Sequence, residues 1–259
     1  MLEAVRLAFG TLSVLPVGHP QKVSGRTWGQ ALALAPLVGL VLGGIAWAVA
    51  FGVAEAGGAP ALGAVMGVAA LAALTRGLHL DGLADVADGL GSWRPPEHAR
   101  EVMKRSDIGP FGVVTVLLVV LAQVASLEQV LWAPNKGLSA VTLIGAAVVS
   151  RASLAMTCRS GVSAATPDGL GAQVAESLSP ASTIVIAAAT MALVTGAAAL
   201  TAVDAVTPVA ISTGVALGVA ETWRRHCSRR LGGVTGDVLG SVEQVAFTAF
   251  LVTLVLLLP

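Results

Sequence analysis

Apolar residues run along this chain in long blocks separated by short polar segments, and the blocks set the elements. They fall at roughly residues 29–54, 57–75, 111–132, 137–157, 181–203, 205–222 and 243–258. Each approaches the ~20 residues a helix needs to cross the hydrocarbon core of a bilayer, where only internally bonded backbone is tolerated. The pattern predicts an all-α fold, a polytopic integral membrane bundle of about seven transmembrane helices. Two blocks are interrupted: Arg151 and Arg159 intrude on the fourth and Pro208 on the sixth, so these are expected to be shorter, tilted or half-inserted helices. Ahead of the first block, the segment bearing Glu3 and Arg6 lacks a small-residue cleavage pattern. It reads as an amphipathic interfacial helix ending at Pro16.

Composition agrees with the pattern. Of 259 residues, 55% are hydrophobic and 12% charged, the profile of a polytopic membrane protein. No long linker or internal repeat divides the chain, so a single domain over 1–259 suffices. The formal net charge is zero, which gives no reason to expect a nucleic-acid partner; the distribution of charge says more. With a cytoplasmic N-terminus, seven crossings put fourteen of the fifteen Lys and Arg residues inside and leave only Lys136 outside, with Glu55, Glu128 and Asp204 as the outside acids. Removing one crossing would move a basic loop to the wrong side. Arg151, at an inner helix end, is expected to snorkel. Cys158 and Cys227 share no ligand spacing and sit on the reducing side, so both read as structural thiols.

Three polar segments then face the cytoplasm, residues 76–110, 158–180 and 221–242. The first contains "GLHLDGLADVADGL", residues 77–90. If residues 80–89 continue the second span as a helix, Asp81, Asp85 and Asp88 stand at i, i+4 and i+7 on one face. Like charges so placed repel, and a divalent cation relieves the repulsion: Mg²⁺ takes one or two protein carboxylates and completes its shell with water and substrate phosphate. A solvated helix face is the plainer alternative, but acidic side chains at a membrane boundary are functional by default. His79 lies on the opposite side of that helix and reads as a packing residue; none of the four histidines is given a catalytic role.

The third segment contains "RRLGGVTGD", where Arg229 and Arg230 precede Gly232, Gly233, Thr235 and Gly236. Guanidinium forks beside successive backbone N–H groups suit an anion. Asp237 opens the last helix, where an N-cap is its ordinary role. Carboxylates for a metal and donors for phosphate on one membrane face describe a diphosphate site.

These two stretches resemble the hallmark segments of the cobalamin-5′-phosphate synthase family, also called adenosylcobinamide-GDP ribazoletransferases. Further similarity runs in order through "GTLSVLPVG", "MKRSDIGPFG" at 103–112, "SRAS" at 150–153 and "DGLGAQ" at 168–173. In this chain Lys104 is followed by Arg105, Ser106 and Asp107, an exchange of acidic and basic positions relative to the family pattern. The resemblance implies a multi-pass enzyme of the bacterial cytoplasmic membrane with its active site on the cytoplasmic face. It implies transfer of α-ribazole, or its 5′-phosphate, onto adenosylcobinamide-GDP with release of GMP, in the presence of Mg²⁺. Under it, Asp81, Asp85, Asp88 and Asp237 hold metal, one of the first three serves as base, and Arg229, Arg230, Gly232, Gly233, Thr235, Gly236 and Lys104 contact phosphate. Glu243 carries over only weakly.

Two other classes compete. A CDP-alcohol phosphotransferase shares Asp85-x-x-Asp88-Gly89 and Gly233-x-x-x-Asp237, but Leu90, Gly91, Ser92 and Trp93 follow where Ala-Arg is expected, and Ser241 stands where another Asp is expected. An ion-coupled transporter would place its carboxylates near the bilayer midplane, commonly on broken helices within inverted repeats.

Overall fold

The computed structural model describes residues 1–258; the last position of the expected 1–259 domain lies outside the described residues. Six helices among them are long and apolar enough to cross a membrane, or up to seven if a bent pair is counted as one span. In chain order these are α3 (Ala35–Gly57), the pair α4 (Pro60–Leu74) and α5 (Leu78–Gly91), α7 (Pro110–Trp132), α8 (Lys136–Thr157), α10 (Pro180–Thr201), α11 (Val206–Leu231) and α12 (Gly236–Leu257). Shorter helices α1 (Leu2–Leu12), α2 (Gly25–Ala33), α6 (Pro96–Met103) and α9 (Leu170–Val174) gather around one end. The chain is an all-α polytopic membrane bundle.

Helix α8 is its axis. Of its apolar window 83% is buried within the protein, against 22% for α7 and α10, so α8 sees protein on nearly all sides while the outer two expose rows of large apolar side chains. Those on α7 are Val113, Val114, Leu117, Leu118 and Leu121, the surface a lipid tail would cover. Apolar helices gain little from leaving lipid for one another, so close backbone approach supplies the packing. Gly39 and Gly43 provide it between α3 and α8: a Cβ at Gly43 would lie 2.8 Å from that of Ala147.

Three expectations are corrected. The first apolar block is two helices, broken at Leu34, because Pro36 cannot donate an N–H and its ring collides with the carbonyl four residues back. The N-terminal helix ends at Leu12, four residues before Pro16. The aspartate-bearing segment does not continue the second span: α5 turns 89° away from α4. Arg76 and Gly77 make that turn with φ of 56° and 69°, a left-handed geometry that glycine adopts freely and arginine at a cost of about 1–2 kcal/mol. Helix α4 alone is about 22 Å long and covers most of a ~30 Å core, after which α5 runs across the bundle end.

The two ends differ. At one, Lys136 pairs with Glu55 at 2.7 Å and the Asn135 amide donates to the Thr201 carbonyl at 3.1 Å. At the other, α1, α2, α5, α6, α9 and the α11–α12 turn surround a cavity. There α11 runs to Leu231, nine residues past the expected end of the sixth span. Its Glu221 accepts from Arg159, Arg224 and Arg225 at 2.6–2.9 Å, tying the end of α8 to α11.

Candidate active site

Helix α5 owes its position to two glycines. A Cβ at Gly82 would stand 2.8 Å from the Asp237 carbonyl oxygen, and one at Gly240 would stand 3.2 Å from the His79 Cα. With hydrogen at both positions, α5 lies against the first turns of α12. Thr235 is the N-cap of α12, its hydroxyl accepting from the Val238 N–H at 3.2 Å. Asp237, expected as the cap, is instead the second residue of the helix, free to face α5.

The three aspartates of α5 grade from solvent to interior. Asp81 is exposed, Asp85 half-buried and Asp88 buried, 8% exposed. Asp88 has a definite structural role, since its two carboxylate oxygens accept from the backbone N–H groups of Gly109 at 2.7 Å and Gly112 at 2.9 Å. These are orphan donors of the first turn of α7, and a carboxylate there also complements the helix dipole. Asp85 is different. Burial, then the charges of Asp237, Asp81 and Asp88, push its carboxyl up to about 7.

None of these four aspartates has a Lys, Arg or His partner within 4.0 Å among the described residues. Nor do three His, Cys, Asp or Glu side chains close on one point there. Asp81 and Asp237, facing the cavity without a cationic partner, offer the one or two carboxylates that a protein usually lends to Mg²⁺.

The cavity beside the cluster has a volume of about 380 Å³, within the range of small-molecule sites. Its polar side carries Asp81, Asp237, Thr235, Gly236, Arg100 and Lys104. The side chains that α1 and α2 add to the lining are apolar apart from Thr11, and Thr166 and Asp168 line it as well. Arg100 donates to the Leu231 carbonyl at the end of α11, which fixes α6 against the α11–α12 turn.

Family comparison bears directly on this arrangement. A family model described as cobalamin-5-phosphate synthase matches residues 4–255. The chain belongs to the cobalamin-5-phosphate synthase family. Curated relatives agree along their whole length. The chain is 40% identical to an adenosylcobinamide-GDP ribazoletransferase of Frankia casuarinae, with 100% of this chain and 96% of that protein covered. It is 36% identical to one of Nocardioides sp., with 97% of each covered, and 36% identical to one of Syntrophobacter fumaroxidans, with 92% of each covered. No solved structure matches the chain.

Among the residues singled out from the sequence, Asp81, Lys104, Thr235, Gly236 and Asp237 meet at the cavity of this family member. Asp85 lies within reach of the charges of Asp81 and Asp237. Asp85, Asp88, Arg229, Arg230, Gly232 and Gly233 do not line the cavity. Arg229 is exposed, and Arg230 stacks 5.5 Å over the Trp93 ring. The glycine turn is committed to the protein: the Val234 N–H donates to the Ser163 carbonyl at 3.0 Å, and the Val234 carbonyl accepts from Ala165 at 2.9 Å. Gly233 sits against Ala164 with φ 145°.

Several parts of the cavity are not foreseen from sequence, among them Thr166 and Asp168 of the loop before α9 and His79. Arg100 is one basic residue among several in its polar segment, and nothing in the spacing sets it apart; the α1–α2 wall carries no chemical signature at all. Arg151 does not snorkel: it is 2% exposed and donates to Glu243 at 2.7 Å, within a buried network that includes Ser150 and Gln244. The partner lies 92 residues away, beyond the reach of local pattern.

Proposed function

We propose that the protein transfers α-ribazole, or its 5′-phosphate, onto adenosylcobinamide-GDP and releases GMP, at the cytoplasmic face of a bacterial cell membrane. The observation that carries this reading is the family match over residues 4–255 in a chain whose unpartnered carboxylates border a cavity. Relatives bearing that enzyme name are similar over essentially the full chain.

In this reading Asp81 and Asp237, which face the cavity from two helices, hold Mg²⁺. When bound, the ion neutralises negative charge on the diphosphate of the activated corrinoid. Arg100 and Lys104 face the same diphosphate from α6 and its end, and add donors to the departing GMP. The acceptor's 3′-hydroxyl oxygen forms a bond to the phosphorus on the corrinoid arm while that phosphorus loses its bond to the GMP oxygen. The hydroxyl proton passes to Asp85, one helical turn from Asp81 on α5 and within reach of the charges of Asp81 and Asp237. Asp88 holds α5 and α7 together beneath it.

The test is direct. Purified protein in lipid vesicles, given adenosylcobinamide-GDP, α-ribazole and Mg²⁺, is expected to release GMP in equal amount with the joined corrinoid product. Absence of that product, with the protein folded and both substrates intact, would overturn the assignment. Nucleotide release also separates this reading from a transporter.

A further inference from the structure

The cavity is chemically two-sided, and only one side is used by phosphate chemistry. Besides Asp81, Arg100, Lys104 and Asp237, the lining includes Leu7, Leu12, Trp28, Ala31, Leu32 and Leu154, with Thr166 and Asp168 reaching it from the loop before α9. Thr11 is the one polar side chain that α1 and α2 add to the lining. The apolar wall is rigidly backed: Leu7 and Leu32 are each 6% exposed, Ala31 3% and Trp28 9%, so its shape is set by packing against the bundle. The motif "GTLSVLPVG", which the metal and phosphate chemistry does not use, supplies Thr11 and Leu12 to this wall.

Resting on the function proposed above, we propose that the α1–α2 wall is the base-binding subsite for the acceptor nucleoside, taking a flat, apolar bicyclic base against Trp28 while the sugar points at the carboxylates. Three observations favour this occupant. The volume of about 380 Å³ lies at the small end for ligand sites; it suits a nucleoside and is far too small for a corrin ring with its side chains. The guanine of the donor presents donors and acceptors along one edge, and the α1–α2 side chains, with a single hydroxyl among them, would leave them unpaired. A dimethylbenzimidazole carries methyl groups on the corresponding edge, which the leucines accept without loss. The wall also predicts discrimination: a purine base on the same sugar leaves polar atoms facing leucine.

Two variants and one substrate pair test this. Ala31→Leu fills the wall without removing a core side chain and is expected to raise KM for α-ribazole at least about tenfold, with KM for adenosylcobinamide-GDP within twofold of the parent. α-Ribazole added to the parent without corrinoid is expected to quench tryptophan emission, and Trp28→Phe to lose that quench. Replacing α-ribazole by its adenine counterpart is expected to lower kcat/KM at least about tenfold. The subsite is overturned if Ala31→Leu leaves the α-ribazole KM within twofold, if it raises the corrinoid KM instead, or if the quench survives in Trp28→Phe. Quenching by α-ribazole in a parent that releases no GMP would leave the subsite standing and remove the reaction, so the two readings fail separately.

Discussion

Asp85 carries the sharpest expectations at the scale of single residues. A half-buried carboxyl surrounded by three other aspartates, with its ionisation pushed up to about 7, is mostly protonated below that value, and Mg²⁺ must compete with protons for the cluster. The half-saturating Mg²⁺ concentration is therefore expected to rise as pH falls through 7 and to level off above it, measured as GMP release across a pH series. In Asp85→Asn that rise should flatten, and maximal rate at saturating Mg²⁺ should fall by about 10²–10⁴-fold. A variant within a few-fold of the parent would remove Asp85 from the mechanism. Glu243 makes a different case. It shares the core with Arg151, at 1% and 2% exposure, so Glu243→Ala leaves a guanidinium buried without its counter-charge, at a cost of about 3–5 kcal/mol. The thermal midpoint in detergent is expected to drop accordingly. Replacing both partners, as Arg151→Met with Glu243→Leu, should recover most of the loss, because no lone charge remains buried.

At the scale of elements, the approach of α5 to α12 converts sequence-distant acids into one cluster. Gly82→Ala puts a methyl group 2.8 Å from the Asp237 carbonyl oxygen. Both atoms are fixed to backbone, so the helices must part by several tenths of an ångström. Activity is expected to fall at least about tenfold, since metal and phosphate geometry tolerates little displacement, while the thermal midpoint changes far less than in Glu243→Ala. Equal losses in both measurements would mean that Gly82 serves packing alone. The elements also show what was legible in the sequence. Hydropathy locates long apolar helices because the bilayer imposes length and internal bonding on each, so α7, α8 and α10 lie within two residues of their expected bounds. It cannot see a helix leave the membrane normal. The turn at Arg76 and Gly77 preserves helical spacing on both sides, and its only local sign is one glycine. The Asp81, Asp85 and Asp88 face was readable from the helical period alone. The engagement of Asp88 with α7 was not, since it depends on the packing of a helix that begins only at Pro110.

For the whole molecule, the decisive question is which end of the bundle faces the cytoplasm, and the structure narrows how it can be asked. Lys104 and the α1–α2 wall border one cavity, so the segments before α3 and after α6 share an end. Lys136 and Glu55 pair at the other. The α3–α4 hairpin must therefore go out and return, although α4 is short. The same division leaves thirteen of fifteen basic residues on segments at the cavity end, with Arg151 buried in the core and Lys136 at the other end, and positive residues favour the cytoplasm. Single cysteines report this cleanly because both native thiols, Cys158 and Cys227, are 0% exposed. Arg26→Cys, Arg105→Cys and Lys136→Cys each place a thiol at an exposed position. In intact bacteria a membrane-impermeant maleimide is expected to label Lys136→Cys alone, and the other two only after permeabilisation. Labelling of Arg105→Cys together with Lys136→Cys would mean that α7 does not separate two compartments. The fully inverted pattern would put the carboxylate cluster outside, away from any nucleotide-activated substrate, and the proposed reaction would fail with it.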